Sequence, residues 1–178
     1  MADTPRPSRQ GVVLPYSRRD SGRGGAKPAM LVHASCAARD GNAVLLLGPP
    51  GAGKSDLLLR LLNAGWDLVA DDQVRLTADG TALLAAPPPA LAGMAEARGI
   101  GLLTGLPFRA PLPVALALRL LPRESVPRLA EPSREAFAGR WLPVAPLCPW
   151  DASAVVKAGL ALDVALGRRA LAAGAFAA

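Results

Sequence analysis

The sequence has few aromatic residues, one histidine and two cysteines, and each scarcity argues against a class of protein. Aromatic residues make up 4% of the 178 positions, too few for the stacking platforms that bind single-stranded nucleic acid. Cys36 and Cys148 have no metal-ligand spacing, so the sequence predicts no cysteine metal site. Since no export signal precedes them, we expect reduced thiols in a cytoplasmic protein.

The chain also lacks a long uncharged hydrophobic run. No apolar stretch of about 18 residues is free of both charge and proline, which argues against a membrane span. The first residues have no hydrophobic region of a secretory signal. We therefore expect no membrane partner, while a hydrophobic fraction of 51% is ample for a packed core.

Positive charge is concentrated at the start of the chain. Residues 1–29 carry six basic and two acidic side chains and hence +4 of the net charge of +6. This segment is rich in Pro, Arg, Ser and Gly and poor in large apolar residues, which predicts a disordered basic tail. We expect residues 30–178 to form one domain, with a net charge of only +2 and no nucleic-acid partner.

The order of strand, helix and turn signals predicts an α/β or α+β fold, with a mixed sheet that has more antiparallel pairing than a doubly wound one. Strands are predicted at residues 30–36, 43–47, 67–70, 73–76, 81–86, 114–120 and, as a short strand or loop edge, 140–144. One helix is predicted from residue 56 to about 64, with Gly65 just beyond its end, and another from Asp151 or Ser153 to about residue 172. Residues 122–139 are predicted to form a long loop.

Residues 48–55 read G-x-x-x-x-G-K-S, which is the Walker A or P-loop pattern. They are Gly48, Pro49, Pro50, Gly51, Ala52, Gly53, Lys54 and Ser55. A predicted strand precedes them and a predicted helix follows, which is the context that the pattern requires. The glycines let backbone N–H groups face phosphate oxygens, and the helix adds the positive end of its dipole. Lys54 can reach the β- and γ-phosphates and Ser55 can bind Mg²⁺, so the segment predicts binding of a nucleoside triphosphate.

Further polar residues follow strands near this loop. Asp71 and Asp72 end the predicted strand 67–70, where one carboxylate can support a metal ion and the other can accept a proton. His33 lies on a strand before the loop, where a hairpin can bring it near the phosphates, although a lone histidine is more often structural. Glu96 and Arg98 offer a carboxylate and a guanidinium, and Arg140 can act as an arginine finger, but each pattern is weak alone.

Together these segments resemble the C-terminal catalytic domain of HPr kinase/phosphorylase, in the short form found in alphaproteobacteria. This bacterial enzyme phosphorylates a serine of HPr, the phosphocarrier of the phosphotransferase system, and removes that phosphate by phosphorolysis. The resemblance rests on His33, residues 48–55, Asp71 with Asp72, the segment Glu96-Ala97-Arg98-Gly99-Ile100-Gly101 and residues 140–144. These five segments stand in the family's order and span residues 30–145.

The resemblance implies a P-loop core related to phosphoenolpyruvate carboxykinase, a hexamer, ATP and Mg²⁺ as cofactors and HPr as the partner. It implies that Lys54 neutralises the transferring phosphate and that Ser55 and Glu96 bind Mg²⁺. Asp72 is the proton acceptor for the HPr serine, and Asp71 supports the network of metal and carboxylates. His33 and Arg140 are further active-site residues, and the signature segment consists of Glu96, Arg98, Gly99 and Gly101.

Four features depart from the long members of the family, one of them Asp56, which follows Ser55 where those members usually have Glu. Residues 1–29 stand where those members carry an N-terminal domain, and Pro49-Pro50 replaces a polar pair. Residues 145–150 replace a basic stretch that the family uses in dephosphorylation. Two alternatives stay open from the residues themselves: a small-molecule kinase or carboxykinase-like P-loop enzyme, and a non-catalytic ATP-binding regulator.

Overall fold

The computed structural model describes residues 29–176, which form eleven strands and two α-helices. The strands are β1 (Ala29–His33), β2 (Ser35–Arg39), β3 (Asn42–Leu47), β4 (Asp67–Ala70), β5 (Gln73–Asp79), β6 (Ala82–Ala86), β7 (Ala95–Ala97), β8 (Gly101–Leu103), β9 (Leu112–Leu120), β10 (Arg134–Phe137) and β11 (Arg140–Leu147). The helices are α1 (Lys54–Asn63) and α2 (Ala154–Ala165). The predicted basic tail lies outside the described residues except for Ala29, which begins β1.

Nine of the strands form one mixed sheet with β9 at its centre. The sheet follows the path β1-β5-β6-β9-β3-β2-β4, and β11 joins β9 while also pairing with β10. The first residues of β9 pair antiparallel with β6, and its later residues pair parallel with both β3 and β11. Strands β7 and β8 form a separate antiparallel hairpin. The predicted mixed sheet with antiparallel hairpins is therefore confirmed.

Strand β3 is buried on both faces, as its uninterrupted apolar sequence predicts. Leu45 and Leu47 belong to a core formed entirely by strands, whereas Val44 and Leu46 belong to a core under the two helices. Successive side chains of a strand point to opposite faces, so this alternation separates the two cores. The Walker A segment follows β3 directly and is thus attached to the most deeply buried strand of the sheet.

Helix α1 ends where the sequence predicts. Gly65 has a φ of 87° and follows the C-cap residue Ala64. Its N–H donates to the Leu62 carbonyl, and the Trp66 N–H donates to the Leu61 carbonyl, which is the Schellman pattern of helix termination. Gly167 ends α2 in the same way, so α2 stops at Ala165 and the prediction that it reaches residue 172 is wrong.

The predicted strand at residues 30–36 is two strands. β1 pairs with β5, whereas β2 pairs with β3 and β4, so the chain changes partners at Ala34. The Ala34 N–H donates to the Asp72 carbonyl at 3.2 Å, which fixes this crossing beside the end of β4. A continuous apolar pattern does not reveal a change of partner, because both strands alternate with the same period.

The predicted loop at residues 122–139 also contains regular structure. A short 3-10 turn occupies Arg123–Ser125, and β10 pairs antiparallel with β11. β11 continues to Leu147, beyond the predicted residue 144, because its second half pairs with β9. Within residues 29–176, no helix has the length and apolar character needed to cross a membrane.

Candidate active site at the Walker A loop

A cavity of about 540 Å³ opens at the Walker A loop, a size typical of ligand sites. Segments that are distant in sequence contribute to its wall: β1, the loop and α1, the β4–β5 connection, and the β7–β8 hairpin. The predicted site residues among its lining are His33, Pro50, Gly51, Gly53, Lys54, Ser55, Asp72, Glu96 and Arg98. The structure therefore brings together most of the residues that the sequence singled out.

The loop begins with a tight turn that accounts for one of its two prolines. The Ala52 N–H donates to the Pro49 carbonyl at 3.1 Å, and Gly51 has a φ of 80°. This places Pro50 and Gly51 at the second and third positions of a type II turn, where proline and glycine are the preferred residues. Pro49 contributes a carbonyl that any residue would supply, and nothing in the structure requires proline there.

Lys54 is buried at the base of this loop. Its Nζ donates to the carbonyls of Gly48 at 2.9 Å and Pro49 at 3.1 Å. An ammonium group has three hydrogens, so these bonds leave one donor for an anion in the cavity. Burial lowers the pKa of Lys54, and the carboxylates of Asp72 and Asp71 oppose that shift by favouring the charged form.

Asp71 is buried and acts as the structural centre of the site. Its Oδ1 accepts hydrogen bonds from the Ser35 hydroxyl at 2.5 Å and the Ser55 hydroxyl at 3.1 Å. Its Oδ2 accepts the backbone N–H of Glu96 at 3.0 Å. One carboxylate thus connects β2, the start of α1 and the β7–β8 hairpin, and it fixes the positions of Ser55 and Glu96 relative to each other.

Asp72, in contrast, is exposed and faces the cavity. Its φ of 66° lies in the left-handed region, which is uncommon for a residue other than glycine and concentrates at functional sites. The Nδ1 atom of His33 lies 2.9 Å from the Asp72 carbonyl oxygen and 3.2 Å from Oδ1. Because a carbonyl can only accept, His33 carries a hydrogen on Nδ1, and this contact holds Asp72 in place.

The β7–β8 hairpin forms another wall of the cavity. Glu96 and Arg98 are exposed on it, and Gly99 and Gly101 adopt positive φ values of 85° and 139° at its turn. The Ser55 hydroxyl and the Glu96 carboxylate both line the cavity and are oxygen ligands of the kind that Mg²⁺ prefers. Within residues 29–176 no group of three or more His, Cys, Asp or Glu side chains is arranged to hold a metal ion.

Arg140 lies away from the cavity. Its Nη2 donates to the Gly80 carbonyl in the β5–β6 turn, and the residue does not line the cavity. Its position in the fold therefore does not support the prediction that Arg140 supplies charge to the site.

Cys36 is fully buried in the strand core, and burial raises the pKa of its thiol far above the ordinary range, so the thiol is unreactive.

Two residues near the loop were not predicted from the sequence. Ser35 is fully buried and donates to Asp71, and its only sequence signal is a hydroxyl within an otherwise apolar strand. Trp150 is 62% exposed and lines the cavity beside Gly53. Trp150 belongs to the segment 145–150, which departs from the family pattern. That departure is the sequence signal that could have drawn attention to Trp150.

Gly53 should tolerate a side chain less well than Gly51, although both have positive φ values. A Cβ on Gly53 would lie 2.9 Å from Cζ2 of Trp150 and 3.2 Å from Cγ of Pro149, whereas one on Gly51 would meet nothing within 4 Å. We expect Gly51→Ala to lower the free energy of unfolding by about 1 kcal/mol, from backbone strain alone. Gly53→Ala should cost about 2–4 kcal/mol, because overpacking is added to that strain.

The measurement is urea unfolding of both variants and the wild type without nucleotide. Equal losses for the two variants would contradict the close packing of Trp150 and Pro149 against Gly53.

Comparison with solved structures gives the class of fold. The structure of the HPr(Ser) kinase/phosphatase from Coxiella burnetii superposes with a TM-score of 0.68 at 24% identity. The match covers 78% of this chain and 98% of that one. The chain therefore has the mixed α/β fold of that protein, with the Walker A segment placed between β3 and α1.

Sequence comparison gives a similarity to one family over part of the chain. The model of the HPr serine kinase C-terminal domain matches residues 26–105, which include His33, the loop, Asp71, Asp72 and the Glu96 segment. An HPr kinase/phosphorylase from Bordetella petrii is 44% identical over 64 residues, and one from Shouchella clausii is 38% identical over 77 residues. These matches agree with the resemblance over residues 26–105, where the chain is similar to the HPr serine kinase C-terminal domain.

The matched segments are short relative to those proteins. They cover 35% of this chain and 21% of the Bordetella protein, and 43% of this chain and 25% of the Shouchella protein. Arg140 lies outside the residues that the family model matches.

Proposed function

We propose that this chain is an Mg²⁺- and ATP-dependent kinase that phosphorylates a serine of HPr. The observation that carries the proposal is one cavity that holds both Lys54 of the Walker A loop and the exposed carboxylate of Asp72. A phosphate-binding loop beside an accessible carboxylate provides what phosphoryl transfer to a hydroxyl needs, since the reaction depends mainly on positioning and charge stabilisation.

Lys54 and the backbone of the loop bind the triphosphate. The buried ammonium, held by the Gly48 and Pro49 carbonyls, directs its remaining hydrogen to a phosphate oxygen. The first N–H groups of α1 have no partner within the helix and add the positive end of its dipole. Arg98, on the facing hairpin, supplies a further cation to the same cavity.

Asp72 accepts the proton of the attacking serine. As the serine oxygen bonds to the γ-phosphorus, the bond from that phosphorus to the bridging oxygen of ATP breaks and ADP leaves. The serine proton moves to the Asp72 carboxylate. His33 acts as a positioning residue, because its Nδ1–H group binds the Asp72 carbonyl and lies 3.2 Å from Oδ1. In the reverse reaction, Asp72 returns a proton to the serine oxygen when inorganic phosphate attacks phosphoserine, and pyrophosphate forms.

Ser55 and Glu96 would hold the Mg²⁺ ion, whose chemistry is to neutralise phosphate charge and fix the orientation of the triphosphate. Asp71 supports both ligands by accepting the Ser55 hydroxyl and the Glu96 N–H. Its remaining hydrogen bond, from Ser35, connects this network to the sheet. The network prearranges the metal ligands before substrate binds.

The wider biological setting follows from the same proposal. We infer a P-loop core related to phosphoenolpyruvate carboxykinase, a cytoplasmic location, a hexameric assembly and a role in regulating phosphotransferase-system signalling. Light scattering of the purified protein tests the assembly, for which a mass near six times 18.2 kDa is expected. A monomer would contradict the hexamer without touching the kinase assignment.

The direct test is incubation of the protein with Mg²⁺, γ-labelled ATP and folded HPr. We expect label on HPr, and we expect unlabelled HPr to be regenerated when excess inorganic phosphate is added. A panel of small-molecule acceptors serves as the competing arm. Label on a small molecule and none on HPr would replace this proposal with the small-molecule kinase.

A further inference from the structure

We propose that Trp150 is the stacking platform for the nucleobase, in a second cavity that continues from the phosphate site around the Walker A loop. The inference rests on the proposed function to the extent that a nucleoside triphosphate binds the loop. It names a residue and a subsite that the family pattern does not supply, because Trp150 belongs to the segment that departs from that pattern.

The second cavity has a volume of about 500 Å³. The loop residues Pro49, Pro50, Gly51 and Ala52 form one wall, and the chain that follows β9 forms another. Pro50, Gly51 and Trp150 line both cavities, so the two spaces meet at the loop and at the indole. A ligand whose phosphates lie in the first cavity can therefore extend into the second without leaving the protein surface.

The indole of Trp150 is accessible although its edge is packed. Cζ2 lies 2.9 Å and Cη2 lies 3.1 Å from the position of a Cβ on Gly53, so the benzene edge of the ring rests against the loop. The side chain is nevertheless 62% exposed. An aromatic ring that is fixed by one edge and open elsewhere has the geometry that stacks on a base, since every base has a π-face.

The residues beside Trp150 hold it in position. The buried Asp151 accepts a hydrogen bond from Lys157 Nζ at 2.6 Å and forms an ion pair with Arg123 at 2.5 Å. The hydrogen bond from Lys157 lowers the pKa of Asp151, which keeps the carboxylate charged. Arg60 of α1 donates to the Pro149 carbonyl on the other side. The segment 149–151 is thus connected to both helices, so the backbone that carries the indole is held in place while one edge of the ring rests against Gly53.

The lining of the second cavity favours a base over a charged group. Leu120, Leu121, Pro122 and the buried Cys148 contribute mostly apolar surface. Two charged residues, Arg123 and Glu124, also line the cavity; the Arg123 guanidinium is paired with Asp151, and the Glu124 carboxylate would repel a phosphate. The chemistry of the site therefore fits the flat, largely apolar ring of a nucleobase, while the phosphates remain with Lys54 across the loop.

Two ligands distinguish stacking of Trp150 on the base from a purely structural role of Trp150 in the loop. ATP carries a base and inorganic tripolyphosphate does not, and calorimetry gives the affinity of each. Trp141 is the matched control, because it is 64% exposed and lies on β11 outside both cavities. We expect Trp150→Ala to weaken ATP binding about tenfold, within the range for removing one stacking aromatic, and to leave tripolyphosphate binding unchanged. Trp141→Ala should change neither, and Trp150→Phe should restore most of the ATP affinity.

The outcomes are distinct. Unchanged ATP affinity in Trp150→Ala overturns the inference, and so does an equal loss for ATP and tripolyphosphate, which would mean that Trp150 only shapes the loop. Failure of the wild type to bind either ligand overturns both this inference and the proposed function. A base-dependent loss in a protein that leaves HPr unlabelled supports the subsite and contradicts only the kinase assignment.

Discussion

Replacing Asp72 with asparagine should lower HPr phosphorylation by at least about 100-fold and leave ATP affinity within about twofold. The substitution removes the carboxylate that accepts the serine proton but keeps the size of the side chain. It also keeps the backbone, because asparagine tolerates the left-handed conformation that Asp72 adopts with a φ of 66°. The rate is measured with labelled ATP and HPr, and the affinity by calorimetry.

The matched control for this experiment is Asp56→Asn. Asp56 also lines the cavity, and its carboxylate pairs with Arg60 one helical turn away instead of facing His33. We expect a rate within a few-fold of the wild type, because the substitution removes the same charge without removing a proton acceptor. Similar losses in the two variants would mean that net charge, and not proton transfer, explains the effect of Asp72.

Replacing Asp71 with alanine should have the largest combined effect on stability and activity. The buried carboxylate accepts three hydrogen bonds, from Ser35, Ser55 and the Glu96 N–H. Its removal leaves the buried Ser35 hydroxyl and two part-buried donors, the Ser55 hydroxyl and the Glu96 N–H, without this acceptor, and we expect a loss of about 2–5 kcal/mol in the free energy of unfolding. Phosphoryl transfer should fall below detection, because Ser55 and Glu96 lose their common support.

Ser35→Ala separates the structural part of this effect from the functional part. It removes one hydrogen bond to Asp71 and leaves the bonds to Ser55 and Glu96 in place. We expect a loss of about 1 kcal/mol in urea unfolding and a transfer rate within a few-fold of the wild type. An Asp71→Ala protein with wild-type stability and activity would show that the network does not organise the site.

The centre of the fold was predictable from the sequence because its signals are local. The Walker A pattern fixed the order of β3, loop and α1, and Gly65 marked the end of the helix by its conformation. The sequence also placed Asp71 and Asp72 at the end of β4. The residue pattern alone did not separate the roles that the resemblance implied for them, because burial of one and exposure of the other depend on the turn at Asp72.

The features that the sequence did not predict depend on contacts between residues that are far apart in the sequence. The split between β1 and β2 follows from the choice of β5 as a partner, and β10 exists because β11 lies beside it. Arg140 was expected at the site, but its partner is the Gly80 carbonyl in the β5–β6 turn, which no local pattern indicates. Trp150 reaches the loop only because β11 runs parallel to β9 and ends next to it.

In the proposed reaction, phosphate passes from ATP in this cavity to a serine of HPr. Mass spectrometry of HPr after incubation with ATP and Mg²⁺ tests it most directly, with wild-type protein and the Asp72→Asn variant in parallel. We expect one phosphate on a serine of HPr with the wild type and none above background with the variant. An unmodified HPr in the presence of wild-type protein that binds ATP would contradict it.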